Sequence, residues 1–263
     1  MRPAHILVGL VALASPVEAL AQTADETVRF IACPIYRDTD AGKKSGCWLA
    51  DERETGRRFD VSAAPSKPDW NHEVLVEGRV AKADAGQFDA CGGLTLSPVR
   101  VSILAGDCTR QMLPAEGFKG RAYVLPQRNV RPAAETRPKP EPPFTEKTFS
   151  LLFDFNRTFI VYQLDDYLLD QAITYIRGVA PRSIIVTGYA ATTATTVSGR
   201  TIAEPSDLAQ RRAEEITEAL VRLGVAPRSI QTRWRSAAGP VEAPGADGLG
   251  EPSRRRVDIQ VIP

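Results

Sequence analysis

The sequence predicts an α+β protein in two parts. A small disulfide-bonded all-β domain comes first, and a β-α-β-α-β-β domain with its helices on one face of a mixed sheet follows. Three observations predict it. All four cysteines and a series of short β-branched runs lie in the first half of the chain. Six prolines between Pro126 and Pro143 then divide the chain. In the second half, Gly178-Val-Ala-Pro-Arg-Ser-Ile184 recurs as Gly224-Val-Ala-Pro-Arg-Ser-Ile230.

The chain starts with a secretory pattern: Met1-Arg2, an apolar run from Ile6 to Ala14, and the small-residue triplet Ala19-Leu20-Ala21. Residues 1–21 are therefore expected to be a signal peptide, with no transmembrane segment after its cleavage. An even number of cysteines in an exported chain reads as two disulfides among Cys33, Cys47, Cys91 and Cys108. Three pairings are possible. The local one, Cys33–Cys47 with Cys91–Cys108, is the expectation. A zinc site is disfavoured because no C-x2-C spacing occurs. No metal and no cofactor is expected.

Residues 25–120 read as all-β. Thr27–Ala32, Cys47–Ala50, Arg58–Ser62, Glu73–Val80 and Val99–Leu104 are short runs separated by turn signals such as Asp40-Ala41-Gly42 and Glu54-Thr55-Gly56. Five short strands in so few residues resemble a small OB-like barrel. The segment carries 13 basic and 15 acidic residues. The whole chain has 33 Lys plus Arg against 32 Asp plus Glu, a net charge of +1. Neither gives nucleic acid an electrostatic footing. Tyr36, Trp48 and Trp70 are either a ligand face or simple packing, and packing is the expectation.

Residues 121–148 form a Pro-rich linker of extended, semi-rigid character, since proline fixes φ and removes the amide donor. From 149 onward helix and strand alternate. Phe149–Phe155 is strand-like. Leu164–Arg177 has apolar residues at helical spacing, with Gly178 as its cap. Ser183–Thr187 is an apolar strand. Ser206 N-caps a second helix with Leu208, Ile216, Leu220 and Leu223 on its buried stripe and Gly224 at its end. Ile230–Trp234 and Val257–Ile262 complete the sheet. The repeated heptapeptide places a helix end before a strand twice, which implies two equivalent αβ steps.

These motifs in this order resemble the OmpA-like C-terminal domain: Phe153-Asp154-Phe155-Asn156 on the first strand, Val186-Thr187-Gly188-Tyr189 ending the second, Arg211-Arg212-Ala213 on the second helix, and Arg255-Arg256-Val257 opening the last strand. The resemblance covers residues 149–263. It implies an OmpA-like sandwich that binds peptidoglycan non-covalently. Arg212 would hold the carboxylate of the diaminopimelate in the stem peptide; a guanidinium offers a planar fork for that purpose. Asn156 and Arg255 would contact the same ligand. The family's acid, which pairs with the ligand's ammonium group, is replaced by Ala191. Loss of one partner of a buried charge pair costs about 2–5 kcal/mol, or about 30-fold to several thousand-fold in affinity. Glu204 and Asp207 are candidate replacement acids, whose positions the sequence does not give. The alternative for Arg212 is a surface ion pair with Glu215.

The resulting expectation is an exported, non-enzymatic, peptidoglycan-binding protein of the cell envelope. It would be periplasmic, associated with the cell wall or outer membrane, and would reach other envelope proteins through its N-terminal domain. The alternative is an envelope scaffold with a degenerate OmpA-like domain that no longer binds the wall. Catalysis has no support. His72 is the one histidine after the signal segment, and no G-x-S-x-G, H-E-x-x-H or phosphate-cradling loop occurs.

Overall fold

The computed structural model describes residues 26–40, 46–82, 91–115, 117–120, 139–159, 163–242 and 248–263. The signal segment and residues 121–138 of the linker lie outside them.

The N-terminal strands curl into a barrel. β1 (Thr27–Ala32) and β2 (Pro34–Arg37) are one strand interrupted at Cys33. β1 pairs antiparallel with β5 (His72–Val80), and β5 pairs antiparallel with β6 (Leu94–Asp107). β6 runs parallel to β4 (Arg58–Asp60), β4 pairs with β3 (Cys47–Asp51), and β3 pairs with β2. Because β1 and β2 are continuous, this order closes on itself as five strands, in keeping with the OB-like expectation. β7 (Gln111–Leu113) adds in parallel to β2. Phe30, Phe59, Val74, Val76 and Val101 fill the interior, following the alternation that points every second residue inward.

The disulfides are Cys33–Cys108 and Cys47–Cys91, not the local pairs. Barrel closure decides this. Ala32 lies opposite Val74, and Val74 opposite Ile103, so the break after β1 and the end of β6 meet around β5. The links span 75 and 44 residues. In the chain-entropy account such loops restrict the unfolded chain by about 4 kcal/mol each, against about 3 for short local ones.

The C-terminal sheet has the order β12 (Ile230–Arg235), β9 (Ser183–Tyr189), β13 (Arg256–Ile262), β8 (Lys147–Leu152). Along the chain β8, α1 (Gln163–Val179), β9, α2 (Asp207–Arg222), β12 and β13 give the anticipated β-α-β-α-β-β order. β9 and β12 are parallel, with Ile184 directly opposite Ile230, so the two copies of the heptapeptide deliver equivalent residues to one register. The steps are not identical, however. Gly224 closes α2 with φ 94°, as expected, whereas α1 continues through Gly178 and the positive φ falls on Ala180. Pro140 packs where a Cβ on residue 178 would stand, so Gly178 serves close approach and not capping. Leu223 is exposed and leaves the buried stripe; Arg212 joins it. The core lies between the sheet and the helices, around Leu151, Ile173, Val186, Ile216 and Ile259.

The C-terminal part carries further elements outside that order. The hairpin β10 (Thr195–Val197) and β11 (Arg200–Ile202) occupies the long segment after β9. Its turn, Ser198-Gly199, has positive φ at both positions, which suits a tight two-residue hairpin. A short helix α3 (Gly250–Ser253) precedes β13.

Candidate functional site

The site sits where β8 ends, β9 ends and α2 begins. Gly188 lets β9 approach α2 so closely that a Cβ there would meet the Ala209 carbonyl and the Ala213 side chain. This contact turns Arg212 inward, under the sheet, instead of toward Glu215. Its side chain is 0% exposed.

All five guanidinium N–H groups have acceptors. Nε donates to the Arg157 carbonyl at 2.8 Å, Nη1 to the Tyr189 carbonyl at 3.0 Å, and Nη2 to the Asp154 carbonyl at 3.4 Å. The two remaining bonds run to Glu204: Nη1 to Oε2 at 2.9 Å and Nη2 to Oε1 at 2.6 Å. Glu204, at the foot of the β10–β11 hairpin, is also 0% exposed at its side chain. Its oxygens are equally saturated. Oε1 accepts the Asn156 amide at 2.9 Å and Oε2 the Ala191 amide at 2.8 Å. Burial raises the Glu204 carboxyl. The hydrogen bonds and charge of Arg212, the charge of Arg255 and the Ala191 amide outweigh it and hold the group below the usual glutamate range.

The three positions that the sequence marked are therefore placed as follows. Arg212 grips a carboxylate, but the chain's own. Asn156 contributes its backbone amide from a left-handed turn with φ 61°, a conformation Asn tolerates, and its side chain is exposed. Arg255 is 0% exposed and belongs to the contact with the barrel. Nη2 meets Glu77 Oε2 at 2.5 Å and Nη1 meets Oε1 at 3.3 Å. The same Oε1 accepts Arg29 Nε at 3.0 Å.

Around that pair the barrel seats on the C-terminal domain. Ile31, Leu75 and Leu104 of the barrel pack on Phe155, Val197 and Ile202. The Phe155 amide donates to Ser102 Oγ at 2.8 Å, the Ile31 amide to Ser198 Oγ at 3.0 Å, and Arg29 Nη1 to Thr195 Oγ1 at 2.9 Å. Arg200 pairs with Glu73. The hairpin thus clamps the barrel and positions Glu204. Sequence reasoning missed it although the signal exists: Ser-Gly between two runs of threonine and β-branched residues. No sequence signal places Glu204 on Arg212.

Beside Ala191 remains a cavity of about 90 Å³, lined among others by Arg29, Phe155, Thr195, Glu251 and Arg254. It has room for a few waters and is far below the roughly 300–1,000 Å³ of ligand pockets. Its arginines are engaged: Arg254 Nε meets Glu251 at 3.0 Å, and Arg29 holds Glu77 and Thr195. Tyr36, Trp48 and Trp70 pack on one another with ring centroids 4.9–5.2 Å apart. Cys47, Asp60 and Cys91 also cluster, but the two sulfurs are joined.

Asp154 lies at the same junction and takes a hydrogen bond from Ser66 of the barrel. Burial raises its carboxyl; the Ser66 bond and the charges of Arg100 and Arg255 offset this only in part. A folded value above the unfolded one means that the native state holds the extra proton. The group's stabilisation is complete at low pH and is lost as pH rises through the raised value. Asp154→Asn keeps an acceptor for Ser66 and removes the charge. It is expected to raise the melting temperature at pH 8 more than at pH 4; thermal unfolding at both pH values checks this.

Residues 152–251 match the model of the OmpA family. No curated protein matches. Among solved structures the chain is similar to the OmpA-like domain of FopA1 from Francisella tularensis subsp. tularensis SCHU S4, at 17% identity over 45% of this chain and 73% of that one, TM-score 0.35. It is also similar to the peptidoglycan-associated lipoprotein from Burkholderia pseudomallei, at 28% identity over 43% and 88%, TM-score 0.32. A third is the cell wall anchor of the T6SS from Pseudomonas aeruginosa, at 24% identity over 44% and 81%, TM-score 0.34. The C-terminal part of this chain, behind its barrel, is an OmpA-family domain.

Proposed function

We propose that this chain is a non-enzymatic interaction component of the cell envelope. In it the OmpA-like domain is liganded by its own Glu204 and serves as the base on which the barrel is seated. Residues 25–120 and 149–263 act as the two working parts, exported by the N-terminal signal into the periplasm, where the disulfides persist. The observation that carries this reading is the Arg212–Glu204 pair, with every donor and acceptor used and neither side chain exposed. A wall carboxylate would have to displace a tethered one, whose effective concentration is on the order of millimolar or higher. It would also have to reach a fork behind the hairpin.

A second reading, non-covalent peptidoglycan binding at Asn156, Arg212 and Arg255, has one observation in its favour. Arg212 and the amides of Asn156 and Ala191 together make a complete receptor for a carboxylate. Sedimentation of the signal-free chain with insoluble peptidoglycan separates the two. The wild type is expected in the supernatant. Retention of the wild type overturns our reading, and retention of Glu204→Ala alone would show that the receptor works once it is vacated.

A further inference from the structure

β12 forms one edge of the C-terminal sheet. It pairs with β9 on one side, and among the described residues no strand pairs with its other side. Its outer row of backbone N–H and C=O groups is therefore open to a further strand. Thr232 meets Thr217 of α2 at 2.8 Å, which fixes the faces. Ile230, Thr232 and Trp234 point to the helix side, and Gln231, Arg233 and Arg235 to the other. Trp234 is 49% exposed, at the mouth of an open groove formed with Ser206, Asp207 and Gln210. Arg233 and Arg235 are exposed, as is Arg228 just before the strand. Asp207, the acid of the groove, is already paired with Arg211 at 3.1 Å.

We propose that the free edge of β12 is a docking strand for an extended acidic polypeptide segment of another protein. The segment adds beside Ile230–Arg235, with two carboxylates spaced two residues apart on Arg233 and Arg235 and the apolar residue between them on Trp234. Main-chain bonds supply affinity and the alternating side chains supply selectivity, as in other strand-addition complexes. Arginines alone would read as edge protection. A half-exposed indole between them does not protect an edge; it offers apolar area to a partner. A second copy, paired with its helices on the same side, would set arginines against arginines, which like-charge repulsion opposes. A saccharide stacked on the indole would leave Arg233 and Arg235, on the opposite face of the strand, and the open main-chain row unused. The inference extends the interaction reading above, but it uses neither peptidoglycan nor Glu204, so the two can fail separately.

The test titrates a fluorescein-labelled ten-residue peptide of alternating glutamate and valine with the signal-free chain, reading the anisotropy of the label, with a labelled alternating lysine–valine peptide as control. Saturable binding of the glutamate peptide alone is expected. Trp234→Ala should weaken it at least tenfold, with the emission of Trp48 and Trp70 retained as the check on folding. Arg233→Glu with Arg235→Glu should reverse the preference toward the lysine peptide. No saturable change, equal binding of both peptides, or binding indifferent to the charge reversal overturns the proposal. So does concentration-dependent dimerisation that Trp234→Ala abolishes, which would make the occupant a second copy.

Discussion

Replacing Glu204 by alanine is expected to destabilise the folded chain by about 3–5 kcal/mol, the usual result of removing one member of a buried ion pair. The cost does not arise from the lost attraction alone. Arg212 would stay at 0% exposure with two N–H groups unsatisfied, and the amides of Asn156 and Ala191 would lose their acceptor. Each orphaned buried group carries its own desolvation penalty. Glu204→Gln should fall between wild type and alanine, since one amide oxygen cannot serve two N–H groups on each side. Urea denaturation at neutral pH measures the series; a loss below about 1 kcal/mol would mean that the fork is solvated. Acid gives a second signature. Because the folded carboxyl titrates below its unfolded value, its contribution is complete above the ordinary glutamate range and is lost as pH falls through the lowered one. The wild type should therefore lose more stability on acidification than Glu204→Ala does.

The second large effect concerns the seat of the barrel. Glu77→Ala should cost a similar amount, about 3–5 kcal/mol, and loosen the barrel from the OmpA-like domain. Glu77 is the shared counter-ion of Arg255 and Arg29, and Arg255 has no exposed surface through which water could replace it. The apolar contact of Ile31, Leu75 and Leu104 with Phe155, Val197 and Ile202 would then be left beside a buried cation that has lost its hydrogen-bonded counter-ion. Two resolved unfolding transitions in place of one, with faster proteolysis between the parts, are the expected readout. An unchanged single transition would show that the junction does not depend on this pair.

The contrast between Arg212 and Glu204 shows how far the sequence reaches. Arg212 could be singled out because its type, its place on a helix and the neighbouring Ala213 fit a motif. Its partner could not, because Glu204 is one acid among many in a segment that reads as loop. The seven residues between the two say nothing about which of them faces inward. That depends on Gly188 admitting α2 against β9 and on the hairpin turning at Ser198-Gly199. Arg255 met Glu77 across 178 residues, which no local pattern encodes. The cysteines behaved likewise: their number and the exported context implied two bridges, while the partners followed from how the barrel closes.

By itself, then, the sequence determined the principal helices and strands and their order, though not the β10–β11 hairpin, since helical and strand periodicity, proline punctuation and turn glycines act within a few residues of one another. It also determined the family of the C-terminal part, whose motifs are local strings. Only the tertiary structure decided that the basic fork is filled, that its neighbour is locked to the barrel and that one sheet edge with its tryptophan stays open. Those outcomes are contacts between distant segments. In a closed interior a charge keeps whichever partner the fold brings within reach, because leaving it alone costs more than any local preference supplies.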